Sequence, residues 1–176
     1  MKTKFIIVDG PDGAGKSTLI STLCDDKSAV EIKFKKTLPS GTLLRINAEK
    51  DFELLFSMFD LLDKSKTYVL DRFLVSNLVY DKVLRGEDTE VSKFYYEELK
   101  NRFNVLEIFL TRPHIQEDFE DDRIKMSRTQ FNLMIDEYKR YGLNYPILNR
   151  SIDDQPLGPN KYYNTVLKQC NRFIAS

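Results

Sequence analysis

"IIVDGPDGAGKSTLISTL", residues 6–23, decides the fold. It passes from an apolar, strand-like run through a loop of glycine and proline into a helical pattern. Within it, residues 10–17 match G-x-x-x-x-G-K-[ST]. Glycines let the backbone wrap so that successive N–H groups point inward at phosphate oxygens. A helix beginning at Lys16 adds its N-terminal partial positive charge. Lys16 would reach the β- and γ-phosphates, and Ser17 offers a hydroxyl to Mg²⁺. Gly10, Gly13, Ala14, Gly15, Lys16, Ser17 and Thr18 are therefore the expected triphosphate-binding residues, with ATP as phosphoryl donor and Mg²⁺ as cofactor. A guanine-reading N-K-x-D is missing: the nearest string, "NKYY" at 160–163, lacks the aspartate.

Outward from this loop, strand-like and helix-like segments alternate. Strands are expected at 4–9, 30–34, 67–71, 105–110 and within "PILNRSI", 146–152. Helices are expected at 16–23, 51–62, 74–84, 90–103, 127–141 and 162–174. Ser127 is a candidate N-cap, and Gly142 stands just past that helix. Such alternation predicts parallel pairing through right-handed crossovers. The expected fold is α/β, a three-layer P-loop NTPase sandwich with a parallel sheet of about five strands. Its length, 176 residues, favours one domain over 1–176.

Lys+Arg and Asp+Glu are both 27, so the formal charge is zero, which argues against general nucleic-acid binding. Cys24, Cys170 and the single His114 have no metal-site spacing, so the cysteines read as free thiols in a reducing compartment. No apolar run has the length of a membrane span, and the one at the N-terminus is too short for a signal peptide. A cytoplasmic location is expected, the host cytoplasm if the source is viral.

Three further stretches fall in a telling order. "LLFS" (54–57) lies in an apolar helix. "VLDRFLVSNLVY" (69–80) places Asp71 and Arg72 at a strand end, where α/β sheets bind ligands. "DDRIKMSRTQF" (121–131) is a charged loop before a long helix. Together with "GPDGAGKST" they resemble the thymidylate kinase family of nucleoside monophosphate kinases, as a compact, divergent member of phage type. The resemblance implies phosphoryl transfer to a deoxynucleoside monophosphate, dTMP or another. Asp12 then contacts the acceptor's 3′-hydroxyl, Arg72 grips its phosphate, and Phe56 stacks on its base. Ser76 and Tyr80 are further candidates for the acceptor pocket; Ser17 and Asp71 are the candidates at the metal, with Asp71 either behind the metal's ligands or a contact on the base side. Lys16, Asp12 and the lid residue Arg123 are the catalytic set, within a mobile lid at about 117–127. Gly13 stands where some members place an arginine, which fits a catalytic arginine supplied by the lid.

The residues leave alternatives open. Arg72 could pair with Asp71, Phe56 could be core, Tyr80 could merely pack, and Lys125 or Arg128 could replace Arg123. Asp60 stands where the family has a base-reading arginine, so exclusive use of dTMP is not expected. Lys36 in "KTLPSG" is a candidate phosphate contact. The expected partners are small nucleotides; a homodimer is left open. Competing readings are a nucleoside or modified-base kinase and a non-catalytic nucleotide-binding protein.

Overall fold

The computed structural model describes residues 1–25, 29–34, 48–87, 90–120, 125–151 and 153–176. The elements run β1 (Lys4–Asp9), α1 (Lys16–Asp25), β2 (Val30–Ile32), α2 (Glu49–Asp60), β3 (Thr67–Asp71), α3 (Leu74–Tyr80), α4 (Glu90–Arg102) and β4 (Asn104–Leu110). Then follow β5 (Phe119–Glu120), β6 (Lys125–Met126), α5 (Arg128–Tyr138), β7 (Asn144–Tyr145), β8 (Leu148–Arg150), β9 (Pro156–Pro159) and α6 (Lys161–Ala175). The main sheet has the order β2-β3-β1-β4-β7, with every pairing parallel.

Every residue of β1 is buried, as expected of a central parallel strand covered on both faces. Its odd-numbered side chains, Phe5 and Ile7, meet Phe52, Phe56 and Phe59 of α2 and Tyr95 and Leu99 of α4. Ile6 and Val8 meet Leu19, Ile20 and Leu23 of α1 and Val166 and Cys170 of α6. Next to the first helical layer, α3 and α5 pack Val75, Val79, Phe131, Met134 and Ile135 around Phe109. The result is three layers, helix on sheet on helix. Each fully buried phenylalanine contributes about 1.5–3 kcal/mol. Among the described residues, no helix is long and apolar enough to cross a membrane.

Two elements depart from the sequence expectation. The fifth strand of the main sheet is β7, whose Asn144 and Tyr145 pair with Phe109 and Leu110. Pro146 cannot donate to a ladder, so the strand stops there. Leu148–Arg150 leaves the sheet and pairs antiparallel with Pro156–Pro159. The helix expected through residue 84 ends at Tyr80 and loosens into a π-turn, Asp81–Arg85. Gly86 closes it in the left-handed conformation (φ 66°), while Arg85 donates to the buried Asp81 carboxylate at 2.5 Å. Helix α5 starts where expected. Ser127 accepts from the Gln130 backbone at 3.2 Å, and the Gln130 side chain accepts from the Ser127 N–H at 3.1 Å. This reciprocal pairing is the capping box.

Candidate phosphate-transfer site

The C-terminal ends of β1, β3 and β4 lie side by side, because β1 pairs with both neighbours. The glycine loop leaves β1 there. Gly10 has φ 147°, and a Cβ on it would stand 2.5 Å from the Leu110 carbonyl oxygen, so only glycine lets the loop cross β4. Lys16, in the first turn of α1, donates to the carbonyls of Gly10 at 3.1 Å and Pro11 at 2.9 Å. Burial, with Arg72 nearby, pushes its ammonium down to about 7, against the pull of Asp12. Ser17 and Thr18 are exposed beside it.

Arg72 follows β3 in the left-handed conformation (φ 66°), uncommon for a residue with a side chain. Its guanidinium reaches Asp12 Oδ1 at 2.6 Å and donates to the Tyr80 hydroxyl, which donates to Asp12 Oδ2 at 3.3 Å. The Tyr80 ring stands 5.2 Å from the guanidinium carbon. Burial opposes the Arg72 charge, but Tyr138, Tyr80 and Asp12 outweigh it and hold it firmly protonated. Burial alone would raise the Asp12 carboxyl, yet Arg72 and Lys16 draw it below the usual range. Asp12 also stands 4.0 Å from the Lys16 ammonium. One carboxylate thus joins the loop lysine to Arg72, and the buried Arg72 Nε has no hydrogen-bond partner among the described residues.

Behind this triangle, Asp9 ends β1 fully buried. Ser76 donates to Asp9 Oδ1, and the Ser76 and Tyr138 hydroxyls lie 2.7 Å apart. Burial raises the Asp9 carboxyl, and its Oδ2 has no hydrogen-bond partner among the described residues. Ser76 therefore bonds to Asp9 beneath the loop and not to Arg72. Asp71 ends β3 in register with Val8.

Two expected acceptor residues lie elsewhere. Phe56 is fully buried, with Tyr95 and Phe103 packed edge-on at 5.6 and 5.5 Å. It belongs to the stripe Phe52, Leu55, Phe56, Phe59 that α2 turns to the core. Asp60 ends α2 and pairs with Arg102, whose Nε donates at 3.0 Å. The adjoining Phe59 carbonyl accepts from Thr3, just before β1. The C-terminus of α2 thus lies by the start of β1, at the other end of that strand from the loop. The Asp60 carboxylate is therefore engaged by Arg102, away from the glycine loop.

Arg123 and Lys36 lie outside the described residues. The described residues at the two ends of the expected lid are held by the rest of the chain. There β5 and β6 pair antiparallel, Met126 is buried, and the Phe119 ring lies 4.5 Å from Phe131. Lys125 pairs with Glu120 at 2.9 Å, and Arg128 donates to the Gln116 carbonyl at 3.2 Å.

Sequence reading missed Arg112, Arg150 and Asp154 at the outer side of the loop. Arg112 donates to the Asp12 carbonyl at 3.2 Å and to Asp154; Arg150 donates to the Gly13 carbonyl and to Asp154 Oδ1 at 3.0 Å. The only signal was a cation directly after an apolar strand, "FLTR". Nothing marked Arg150. Tyr138 was also missed, as one apolar position of a helical stripe. Among the described residues, no three His, Cys, Asp or Glu gather as a metal cluster. The oxygens present, the Ser17 hydroxyl and the strand-end carboxylates Asp9 and Asp71, are hard donors of the type Mg²⁺ accepts when phosphates supply further ligands.

No family model and no curated protein matches the sequence. Solved structures do match the fold. Thymidylate kinase from Candida albicans superposes with a TM-score of 0.57 at 15% identity, over 98% of this chain and 94% of that one. The YorR protein of Bacillus subtilis, solved in complex with phosphorylated GDP, gives 0.53 at 19%, over 98% and 96%. Polyphosphate kinase 2 from Arthrobacter aurescens gives 0.54 at 15%, over 99% and 68%. At these identities the likeness is one of fold: a three-layer α/β sandwich of the P-loop kinase type.

Proposed function

We propose that the chain is a kinase that transfers the γ-phosphoryl of ATP to the phosphate of a deoxynucleoside monophosphate. The observation that carries this reading is Arg72, held by Asp12 and Tyr80 beside Lys16. A guanidinium presents parallel donors that match a phosphate. Here it shares a carboxylate with the loop lysine, so acceptor and donor phosphates would meet at one corner. An oxygen of the acceptor phosphate attacks the γ-phosphorus, the bond to the β–γ bridging oxygen breaks, and ADP leaves. That attacking oxygen is already ionised near neutral pH and needs no base. A hydroxyl acceptor would need one, and Asp12, drawn down by Arg72 and Lys16 against its burial, is a weak base. Asp9, its carboxyl raised by burial, lies beneath the loop bonded to Ser76, so the weak basicity of Asp12 supports a phosphate acceptor over a nucleoside.

Mg²⁺ bound with ATP would be held by Ser17, backed by Asp71 and Asp9, and would offset charge on the phosphates. Asp12 would accept from a sugar hydroxyl, and the deoxyribose follows from the resemblance of "DRF…S…Y" and the loop to the thymidylate kinase family. The resemblance likewise gives Arg123 the γ-phosphoryl. The family of C. albicans thymidylate kinase supports the same acceptor class. A coupled assay of ATP consumption over a panel of nucleosides and nucleoside monophosphates tests the proposal. Turnover confined to deoxynucleoside monophosphates is expected. Turnover with nucleosides alone, or nucleotide binding without turnover, overturns it.

A further inference from the structure

Arg112 lies just past β4, and Arg150 ends β8. Asp154, in the left-handed conformation (φ 62°), sits in the turn between β8 and β9. Its carboxylate accepts from both arginines, and its carbonyl accepts from Arg150 at 2.5 Å. The two arginine side chains are 6% and 9% exposed. They occupy the space a side chain on Gly13 would need: a Cβ there would stand 2.5 Å from Arg112 Nη1 and 2.8 Å from Arg150 Nη2.

We propose that Arg112 and Arg150 are positioning residues for the donor's phosphates, holding the peptides of residues 12–14 from their carbonyl side and adding positive charge to the cradle. The inference rests on the phosphate-cradle reading above. A carbonyl and the next residue's N–H are opposite ends of one peptide dipole. A cation bonded to the Asp12 or Gly13 carbonyl therefore strengthens the N–H of Gly13 or Ala14 as a donor. Holding two carbonyls requires only neutral donors. This chain instead buries two charges against one carboxylate, a costly arrangement unless an anion balances it. Burial and the charge of Arg150 bring Arg112 down to about 10. The surplus charge sits on the loop that wraps the phosphates, so its natural counterion is a polyphosphate chain.

The test is calorimetric binding of magnesium tripolyphosphate and magnesium pyrophosphate to the native chain and to Arg112→Gln, Arg150→Gln, Arg112→Lys and Arg150→Lys. The glutamine variants should weaken tripolyphosphate on the order of tenfold each, and pyrophosphate by less. The lysine variants, which keep a charge but not the two-partner fork, should lose less than the glutamine variants. Glutamine variants that bind as tightly as native, or lysine variants as weak as glutamine, would overturn the proposal. If a glutamine variant fails to fold, the matching lysine variant decides, a tenfold loss counting against. A native chain that binds neither probe would instead refute the cradle reading, and this inference with it.

Discussion

Replacing Arg72 separates its grip on an acceptor from its place in the backbone. The Arg72–Asp12 pair spans 2.6 Å, with side chains 18% and 32% exposed. A buried pair broken on one side costs about 3–5 kcal/mol, and an exposed one at most about 1. Intermediate burial, with Lys16 still 4.0 Å from Asp12, places Arg72→Ala at about 1–3 kcal/mol of stability. Arg72→Gly loses the same pair but is at ease at φ 66°. Relief of about 1–2 kcal/mol, less about 0.5–1 for glycine's unfolded-state entropy, leaves it about 0–1.5 kcal/mol more stable than the alanine variant, about 0.8 at the midpoints. In a chain of this size that midpoint is a melting temperature higher by about 2–3 °C. Catalysis follows a different order. Losing a charge-assisted fork to the acceptor phosphate, about 3 kcal/mol, lowers kcat/KM for the acceptor about 150-fold in both variants. ATP affinity should change less than about threefold. Melting curves and separate titrations of each substrate measure this. Equal melting of the two variants would refute the backbone argument. An unchanged acceptor KM, or activity restored by glycine, would refute the acceptor role.

Lys16→Ala should abolish transfer while melting near the native temperature; normal turnover would sink the kinase assignment. Because the Lys16 ammonium titrates near 7 against an ordinary 10.5, the folded chain binds fewer protons than the unfolded one between those values. Its contribution to stability rises with pH across that window and is fully unfavourable below it. Donor phosphates should restore the charge, so ATP binding at pH 8–9 should take up as much as about one proton. Calorimetry in two buffers of different ionisation enthalpy reads this, and no uptake would contradict it. Phe56→Ala should cost about 3–5 kcal/mol in denaturant melts; a stable variant with altered base preference would return Phe56 to the pocket. Asp60→Arg should leave the ranking of acceptor bases unchanged, since Asp60 pairs with Arg102 away from the loop; a shift toward dTMP in kcat/KM would reverse that placement.

The glycine loop, the four strands leading to it and the helix starts were legible because each rests on local chemistry: glycine torsions, apolar runs, a Ser–Gln cap. Lys16 and Asp12 were legible as part of the glycine-loop motif, and Arg72 as the residue that follows a strand end. Phe56 and Asp60 were misplaced because a motif match gives order but not direction. The direction of α2 and its apolar stripe put one in the core and the other by the start of β1. Asn144–Tyr145 was overlooked since two residues carry no period. Arg112 and Arg150 meet the loop only through tertiary folding, across separations of 100 and 137 positions, with Asp154 joining Arg112 across 42, and no window of sequence contains such a cluster.

The sheet order also governs when the site comes into being. β1 leaves the ribosome early, yet its partners begin only at Thr67 and Asn104. Until β4 is made, the glycine loop has no Leu110 carbonyl beneath it, and β1 keeps one edge open even after β3 has emerged. Such sequence-distant pairing makes for slow folding and leaves an apolar strand edge of the early chain exposed to aggregation. Nascent chains stalled before residue 104 should therefore retain no tripolyphosphate, whereas released full-length chains should; retention by the stalled chains would show that the loop folds on its own.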